Sequence, residues 1–435
     1  MALHIEDIPS EVLSIILDFL DTTQKFVVRG VNQRWRDSVD KNVSFCVSLC
    51  DKNYDYVRHK FGTRRVASMT IENYSRSEIP IQNLQFLHRL HIRESTKRVC
   101  DLAVRHLLLN AVKLKSLTLD DIKFGTEIAI HNQPLPALLS IEKLSVKWEQ
   151  TPLSIQVSSR ADNLLNHEMP KLKVLHVCQT LFATKLSRYE IDIFRLATCK
   201  PLLRQLKVEQ FRPPTNDVGP AHNLTKLKKL NLTVAEADIS QTDVCAWEAI
   251  LSTSSKMEKL SLSYHPLEGN HGFPLSIILP VLQKSFESLV TIRLRIDPNI
   301  NPHIDMKMFC DLKCIHTLCL EQRVLNAQPC IPALNLHTVL TLQTLQNFES
   351  NGLKYSGEDL LQFLDELVAH KTHVTYLCFT QHSQALRDTF EKRVCEEDLK
   401  NQFPIYNQFS DMDRLSFLIT PRIQSRNQKS FCKQL

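Results

Sequence analysis

The densest local cluster of side chains able to hold a metal is His303, Cys310, Cys314 and His316. Two thiolates and two imidazoles suit a tetrahedral zinc site, provided that all four donors converge on one point. Here the cluster runs from the end of a helical stretch into the strand-like run IHTLCL, where alternation along the chain works against convergence. The expectation is buried thiols and a surface histidine, with no metal. The other routes to chemistry are also missing. Neither G-x-G-x-x-G nor G-x-x-x-x-G-K-S/T occurs in a chain with only 8 glycines, so no loop cradles a nucleotide phosphate by those means. No Ser or Cys sits in a nucleophile elbow, and there is no H-E-x-x-H or paired-carboxylate motif. No catalytic residue and no cofactor is expected.

A second set of side chains suits binding. The pattern apolar-x-x-apolar-x-apolar recurs as VASMTI from Val66, LHRLHI, LKSLTL, IEKLSV, LKVLHV, LRQLKV, LKKLNL, MEKLSL, LVTIRL and IHTLCL. Weaker copies are HTVLTL ending at Leu342, VTYLCF at 374–379 and DRLSFLI near the end. If the central apolar residue of each strand points inward, its neighbours and the residue three further on face outward. Across eight copies those outward positions hold nine Lys or Arg and two Asp or Glu. A sheet face with that imbalance would attract an acidic or phosphorylated peptide. Arg93, Lys143, Lys207, Arg293 and Arg295 are the expected contacts. The competing expectation is an ordinary solvated face with ordinary lysine usage.

These positions need strands, and the strands need helices to cover them. Mean spacing between copies is about 29 residues, at the upper edge of leucine-rich repeats. Helical patterns fill several gaps, as in DVCAWEAILS and PLSIILPVLQKSF, and Ser356 with Asp359 is placed to cap another ahead of Leu360. Each unit has a strand face and a helix face that it cannot bury alone, so the copies are expected to stack.

The N-terminal stretch Ile8 to Trp35 has a different pattern. Pro9 suits the first position of a helix and Glu11 its positive end. From about Pro9 to Leu20, Glu11, Ser14, Asp18 and Asp21 share one polar arc. Val12, Leu13, Ile15, Ile16, Leu17, Phe19 and Leu20 cover the remaining ~200°, twice the stripe of about 100° that packing on one neighbour requires. A second surface is left to bury. The whole segment, about 40 residues, is also near the size at which a domain rarely stands alone.

This stretch resembles the F-box. The matching residues are Ile8, Pro9, Glu11, Val12, Leu13, Ile16, Leu17 and Leu20, then Phe26, Val28, Val31, Arg34 and Trp35, with Ile in place of the usual leading Leu. The region behind it resembles leucine-rich repeats of a degenerate kind. The usual Asn or Cys after the strand is replaced by Ile122, Thr180, Ala235 and His265, and spacing runs from about 21 to about 40 residues. Such degeneracy is common behind F-boxes and also fits the highly divergent, nematode-like F-box families. The expected fold is therefore α/β, a short all-helical F-box followed by a curved leucine-rich-repeat-like solenoid of parallel strands and helices. The expected domains are an F-box at 1–41, a junction at 42–65, the solenoid at 66–383, a C-terminal helix and final strand at 384–420, and a basic tail at 421–435.

The resemblance implies a non-catalytic substrate-recruiting subunit of an SCF-type cullin-RING ubiquitin ligase, with the F-box docked on a Skp-type adaptor and, through it, on cullin. Docking would fall to Ile8, Pro9, Val12, Ile16, Leu20, Val31 and Trp35. The repeats would hold a target that is acidic or phosphorylated. The rival is a plain repeat scaffold or inhibitor that binds a protein, or less readily RNA, with the N-terminal segment serving only as a cap. Composition agrees with a soluble, intracellular protein. The net charge of +6 is mild for 435 residues, and 13 cysteines without paired spacing read as reduced thiols. No export signal or membrane-length apolar run is evident. A cytoplasmic or nuclear location is expected, without a membrane partner, and nucleic acid is disfavoured because the strands lack interleaved aromatics.

Overall fold

The computed structural model describes residues 8–41, 43–95, 99–120, 135–150, 164–165, 167–181, 200–211, 225–234, 256–264, 288–295, 303–304, 309, 314–321, 333–334, 336–351, 358, 362–363, 366, 376–380 and 414–418. The chain divides into two compact units, Met1–Gln210 and Phe211–Leu435.

The first unit begins with three helices, α1 (Ser10–Asp18), α2 (Thr22–Val28) and α3 (Gln33–Lys41). Strand β1 (Phe45–Leu49), helix α4 (Tyr54–Phe61), and strands β2 (Val66–Glu72) and β3 (Arg89–Arg93) follow. Then come α5 (Asp101–Asn110), β4 (Ser116–Asp120), α6 (Pro136–Ser140), β5 (Lys143–Gln150), β6 (Val174–Leu181) and β7 (Gln205–Phe211). The strands pair in chain order, all parallel. Among the described residues, α4, α5 and α6 lie in the connections between successive parallel strands, as a strand-plus-helix repeat requires.

The motif dictates this stack residue by residue. Its three apolar positions form three ladders, for example Leu114, Ile141, Leu172 and Leu203, then Leu117, Leu144, Leu175 and Leu206, then Leu119, Val146, Val177 and Val208, all buried. Register is equally regular at the start of each strand, where one carbonyl accepts two successive N–H groups from the next repeat. His88 O takes those of Lys115 and Ser116 at 2.8 and 3.0 Å, Lys115 O those of Glu142 and Lys143 at 2.8 and 2.9 Å, and Glu142 O those of Lys173 and Val174 at 2.8 and 3.1 Å. Burial of the ladders drives stacking; the shared carbonyl holds the register.

The second unit repeats the pattern with β8 (Lys229–Val234), β9 (Lys259–Tyr264), β10 (Thr291–Arg295), β12 (Thr317–Glu321), β14 (Asn347–Asn351) and β15 (Tyr376–Thr380), parallel and in order. A two-stranded pair, β11 (His303–Ile304) and β13 (Ala333–Leu334), lies apart. Strand β16 (Arg414–Leu418) joins β15 antiparallel.

Three expectations change. The strand stack starts at Phe45, inside the stretch expected as a junction, because β1 pairs with β2 with Val47 opposite Met69. The copy HTVLTL is not a strand: Leu336–Thr341 is a 3₁₀ turn, and the repeat there is LQNFES, with Phe348 rather than Leu340 opposite Leu318. Ser350, buried where its register neighbours carry Leu320 and Phe379, hid it from the apolar pattern. The last copy runs the other way, so Phe417 rather than Leu415 faces Leu377. The expected helices at 243–252, 274–286 and 384–400 and the basic tail lie outside the described residues, as do Ser356 and Asp359.

Candidate partner-docking face

Side chains cap α2 and α3, whereas α1 begins after a proline with no side-chain cap. Pro9 stands just before α1 rather than at its first position, with φ −54° and ψ 147°, and its carbonyl accepts the Leu13 N–H at 2.9 Å. Asp21 and Gln24 form a reciprocal capping box on α2, at 2.8 and 3.0 Å, a motif worth about 1 kcal/mol or more. Asn32 Oδ1 accepts the Trp35 N–H at 2.9 Å and so caps α3. Asp21, which reads from sequence only as part of the polar arc, and Asn32 are thus the side-chain caps of α2 and α3.

The inner side of these helices closes on the first strand. Leu13, Leu17 and Val39 are fully buried, and Ser14 and Ser38 share a hydroxyl hydrogen bond of 3.2 Å between α1 and α3. Phe26 packs against Phe45 and Phe61, ring centroids 5.4 and 5.5 Å apart. The Arg64 guanidinium covers the Phe26 and Phe45 rings at 4.9 and 5.5 Å and pairs with Asp40 at 3.0 Å, while Arg29 grips the same carboxylate at 2.9 Å. Burial pulls the Arg64 pKa below its usual value; Asp40 opposes that shift and Arg29 adds to it. The buried Lys25 donates to Ser44 O at 2.9 Å, and Thr22 Oγ1 to Cys46 O at 3.0 Å. The helices therefore cover the edge of β1 that would otherwise lie open to strand addition.

The outer side is apolar and uncovered. Val12, Ile15, Ile16 and Phe19 fall at i, i+3, i+4 and i+7, one stripe of α1, and Phe19 is 87% exposed. Val27 and Val31 are exposed as well, Val27 at 71%. Of the positions expected to dock, Pro9, Val12, Ile16 and Val31 are exposed, whereas Ile8, Leu20 and Trp35 are half-buried. Ile8 is held by its carbonyl, which accepts from the Arg34 guanidinium. Ile15, Phe19 and Val27 are exposed apolar residues that the sequence reading did not single out. The helical wheel contained the first two; it did not say which side of the arc meets α3.

The outer face of the strands is different in character. Arg93 is exposed, but register sets it between Glu72 and Asp120; Asp120 also bonds His91 Nε2 at 2.7 Å. Lys143 is exposed between Ser116 and Val174, and Lys207 is half-buried beside His176. In the second unit Arg293 pairs with Glu349 at 3.4 Å, and Arg295 stands opposite Glu321. Three acidic residues outside the eight copies counted, Glu72, Glu321 and Glu349, thus share rows with the expected basic contacts. The five contacts also fall in two units, three in the first and two in the second. Of the metal cluster, Cys310 lies outside the described residues, and no group of metal-ligating side chains occurs among those described. No helix among the described residues is long and apolar enough to cross a membrane.

Three buttressing helices with a free apolar stripe, joined to a parallel strand stack, define an F-box module followed by leucine-rich-repeat-like units. Residues 5–46 match the family model described as F-box domain. No curated protein matches the chain. Among solved structures, a leucine-rich-repeat protein of Leptospira interrogans is 15% identical with a TM-score of 0.33, covering 77% of this chain and 91% of its own. In architecture, the protein is of the F-box/leucine-rich-repeat type; the repeat assignment rests on the strand register above.

Proposed function

We propose that this chain is the substrate-recruiting subunit of an SCF-type cullin-RING ubiquitin ligase. Its F-box docks on a Skp-type adaptor, which carries it to cullin, and its repeats hold the target protein. The supporting observation is the uncovered stripe Val12, Ile15, Ile16 and Phe19 on helices whose opposite side is already spent on the first strand. Four contiguous apolar side chains on a water-facing helix cost solvation with no return inside the chain, and burying each against a partner is worth about 1.5–3 kcal/mol. The chain itself performs no chemistry; it raises the effective concentration of target lysines near the charged enzyme. Its place of action is the cytoplasm, the nucleus or both.

The cap function of the rival scaffold reading has its own support in the Phe26, Phe45 and Arg64 contacts. Capping leaves the stripe unused, so it accompanies docking rather than replacing it. The test is co-purification: full-length protein should bring down a Skp-type adaptor, and Ile16→Asp should abolish this without unfolding the chain. Wild-type protein that ignores the adaptor would leave the scaffold reading standing.

A further inference from the structure

The edge at the N-terminal ends of β3–β6 carries a denser positive charge than the strand face. The shared-carbonyl register places His88, Lys115, Glu142, Lys173 and Arg204 in one row, one strand spacing of about 4.8 Å apart. Arg89 and Lys143, the first residues of the outward face on β3 and β5, border this edge two strands apart in the next row, one residue further along each strand. Lys113 and Lys171 stand two residues before Lys115 and Lys173. Glu142 is the carboxylate in this lattice, and Lys173 occupies it at 2.7 Å. Among the described residues, Arg89, Lys113, Lys115, Lys143 and Lys171 are exposed and make no ion pair. Their fields overlap: His88 is held below the usual histidine range first by burial, then by Lys115, Lys113 and Arg89. Glu142 is pulled below the usual carboxylate range first by its bond to Lys173, with Lys115 and Lys171 adding to the effect.

We infer that this edge, rather than the outward face of the strands, is the docking surface for a carboxylate-rich segment of a partner polypeptide. The inference deepens the target-binding half of the proposed function and rests on it. On the face, Arg93 has acidic residues on both sides in register; on the edge the cations outnumber the one carboxylate several-fold. The cations are mostly lysines, point charges on flexible stems, which suit a run of carboxylates more than the bidentate capture of one phosphate. A nucleic-acid strand would want free aromatic faces. The aromatic at this edge, Phe86, is already covered by Arg65 at 4.7 Å and Lys113 at 5.9 Å. Val112, exposed beside Lys113, offers an apolar contact for the partner segment.

The test uses full-length protein with its adaptor and a fluorescent ten-glutamate peptide read by anisotropy at near-physiological salt. One variant carries Lys113→Glu, Lys115→Glu and Lys171→Glu. A second, with the same change of net charge, carries Lys52→Glu, Arg58→Glu and Lys60→Glu at exposed positions around α4. The expected result is peptide binding by wild type, weakened about tenfold or more in the first variant and about threefold or less in the second. Absence of wild-type binding, equal weakening in both variants, or tighter binding of a uridine oligonucleotide than of the peptide would overturn the inference. Adaptor co-purification, measured in the same samples, is expected to be unchanged in both variants. Failure of wild type to co-purify the adaptor would count against the ligase assignment and leave the peptide result separately readable.

Discussion

The stripe on α1 and the outward face of the strands are both exposed, yet they are built on opposite terms. The stripe has no polar side chain among Val12, Ile15, Ile16 and Phe19. The strand face is mostly polar, and several of its charges have partners a strand or two away, as Arg293 has in Glu349. An apolar stripe of this kind gains free energy when covered, so it favours a partner that covers it. A face whose charges answer one another is stable in water and specifies nothing by itself. The difference teaches where to look for each partner: by uncovered apolar area at the N-terminus, and by unanswered charge along the repeats.

The sharpest way to break the comparison is to charge the stripe. Ile15→Asp with Phe19→Asp should weaken adaptor binding about a hundredfold or more, measured by calorimetry, while the urea midpoint stays near that of wild type because both side chains already face water. The inner side should behave in the opposite way. Leu17→Ala removes a fully buried side chain and is expected to cost about 2–5 kcal/mol of stability in urea unfolding, with binding lost only as folding is lost. Asp40→Asn leaves Arg29 and Arg64 facing each other without their carboxylate and should cost about 1–3 kcal/mol; retained stability would mean the clamp between the helices and β1 is ornamental. On the strand face, Arg293→Ala should cost less than about 1 kcal/mol, since both partners reach solvent. The smallest effect belongs to Glu142. Its folded pKa is depressed, so its contribution is present above the ordinary carboxylate range and fades as pH falls through the depressed value. Glu142→Gln should therefore flatten the acid limb of stability slightly, and should strengthen the edge's hold on the ten-glutamate peptide.

Much of the repeat unit could be read from the chain because its three apolar ladders are a local property: Leu114, Leu117 and Leu119 occupy fixed offsets, and every copy that keeps them becomes a strand. Where a copy borrows its burial from elsewhere, the pattern fails. Ser350 lies buried among neighbouring ladders without being apolar, and HTVLTL, which has His337 at the first apolar offset, curls into a 3₁₀ turn. Strand β1 escaped notice for a related reason: it is entered from α3 instead of from the leucine-bearing turn that precedes the other copies.

At the N-terminus the sequence by itself determined that α1 has more apolar surface than one neighbour can cover, because helix periodicity is set by backbone geometry alone. It also determined the F-box resemblance and the leucine ladder. Only the tertiary structure decided which side of α1 faces inward. That choice depends on Val39 and Ser38 of α3 arriving against Leu13, Leu17 and Ser14, contacts some twenty to thirty residues distant in the chain. The same holds for the charges. Counting strand residues suggested a basic face, but whether a lysine has an ion pair depends on what the neighbouring strand places beside it, and register, not composition, put Glu72 and Asp120 next to Arg93 while leaving Lys113, Lys115 and Lys171 without a carboxylate partner among the described residues.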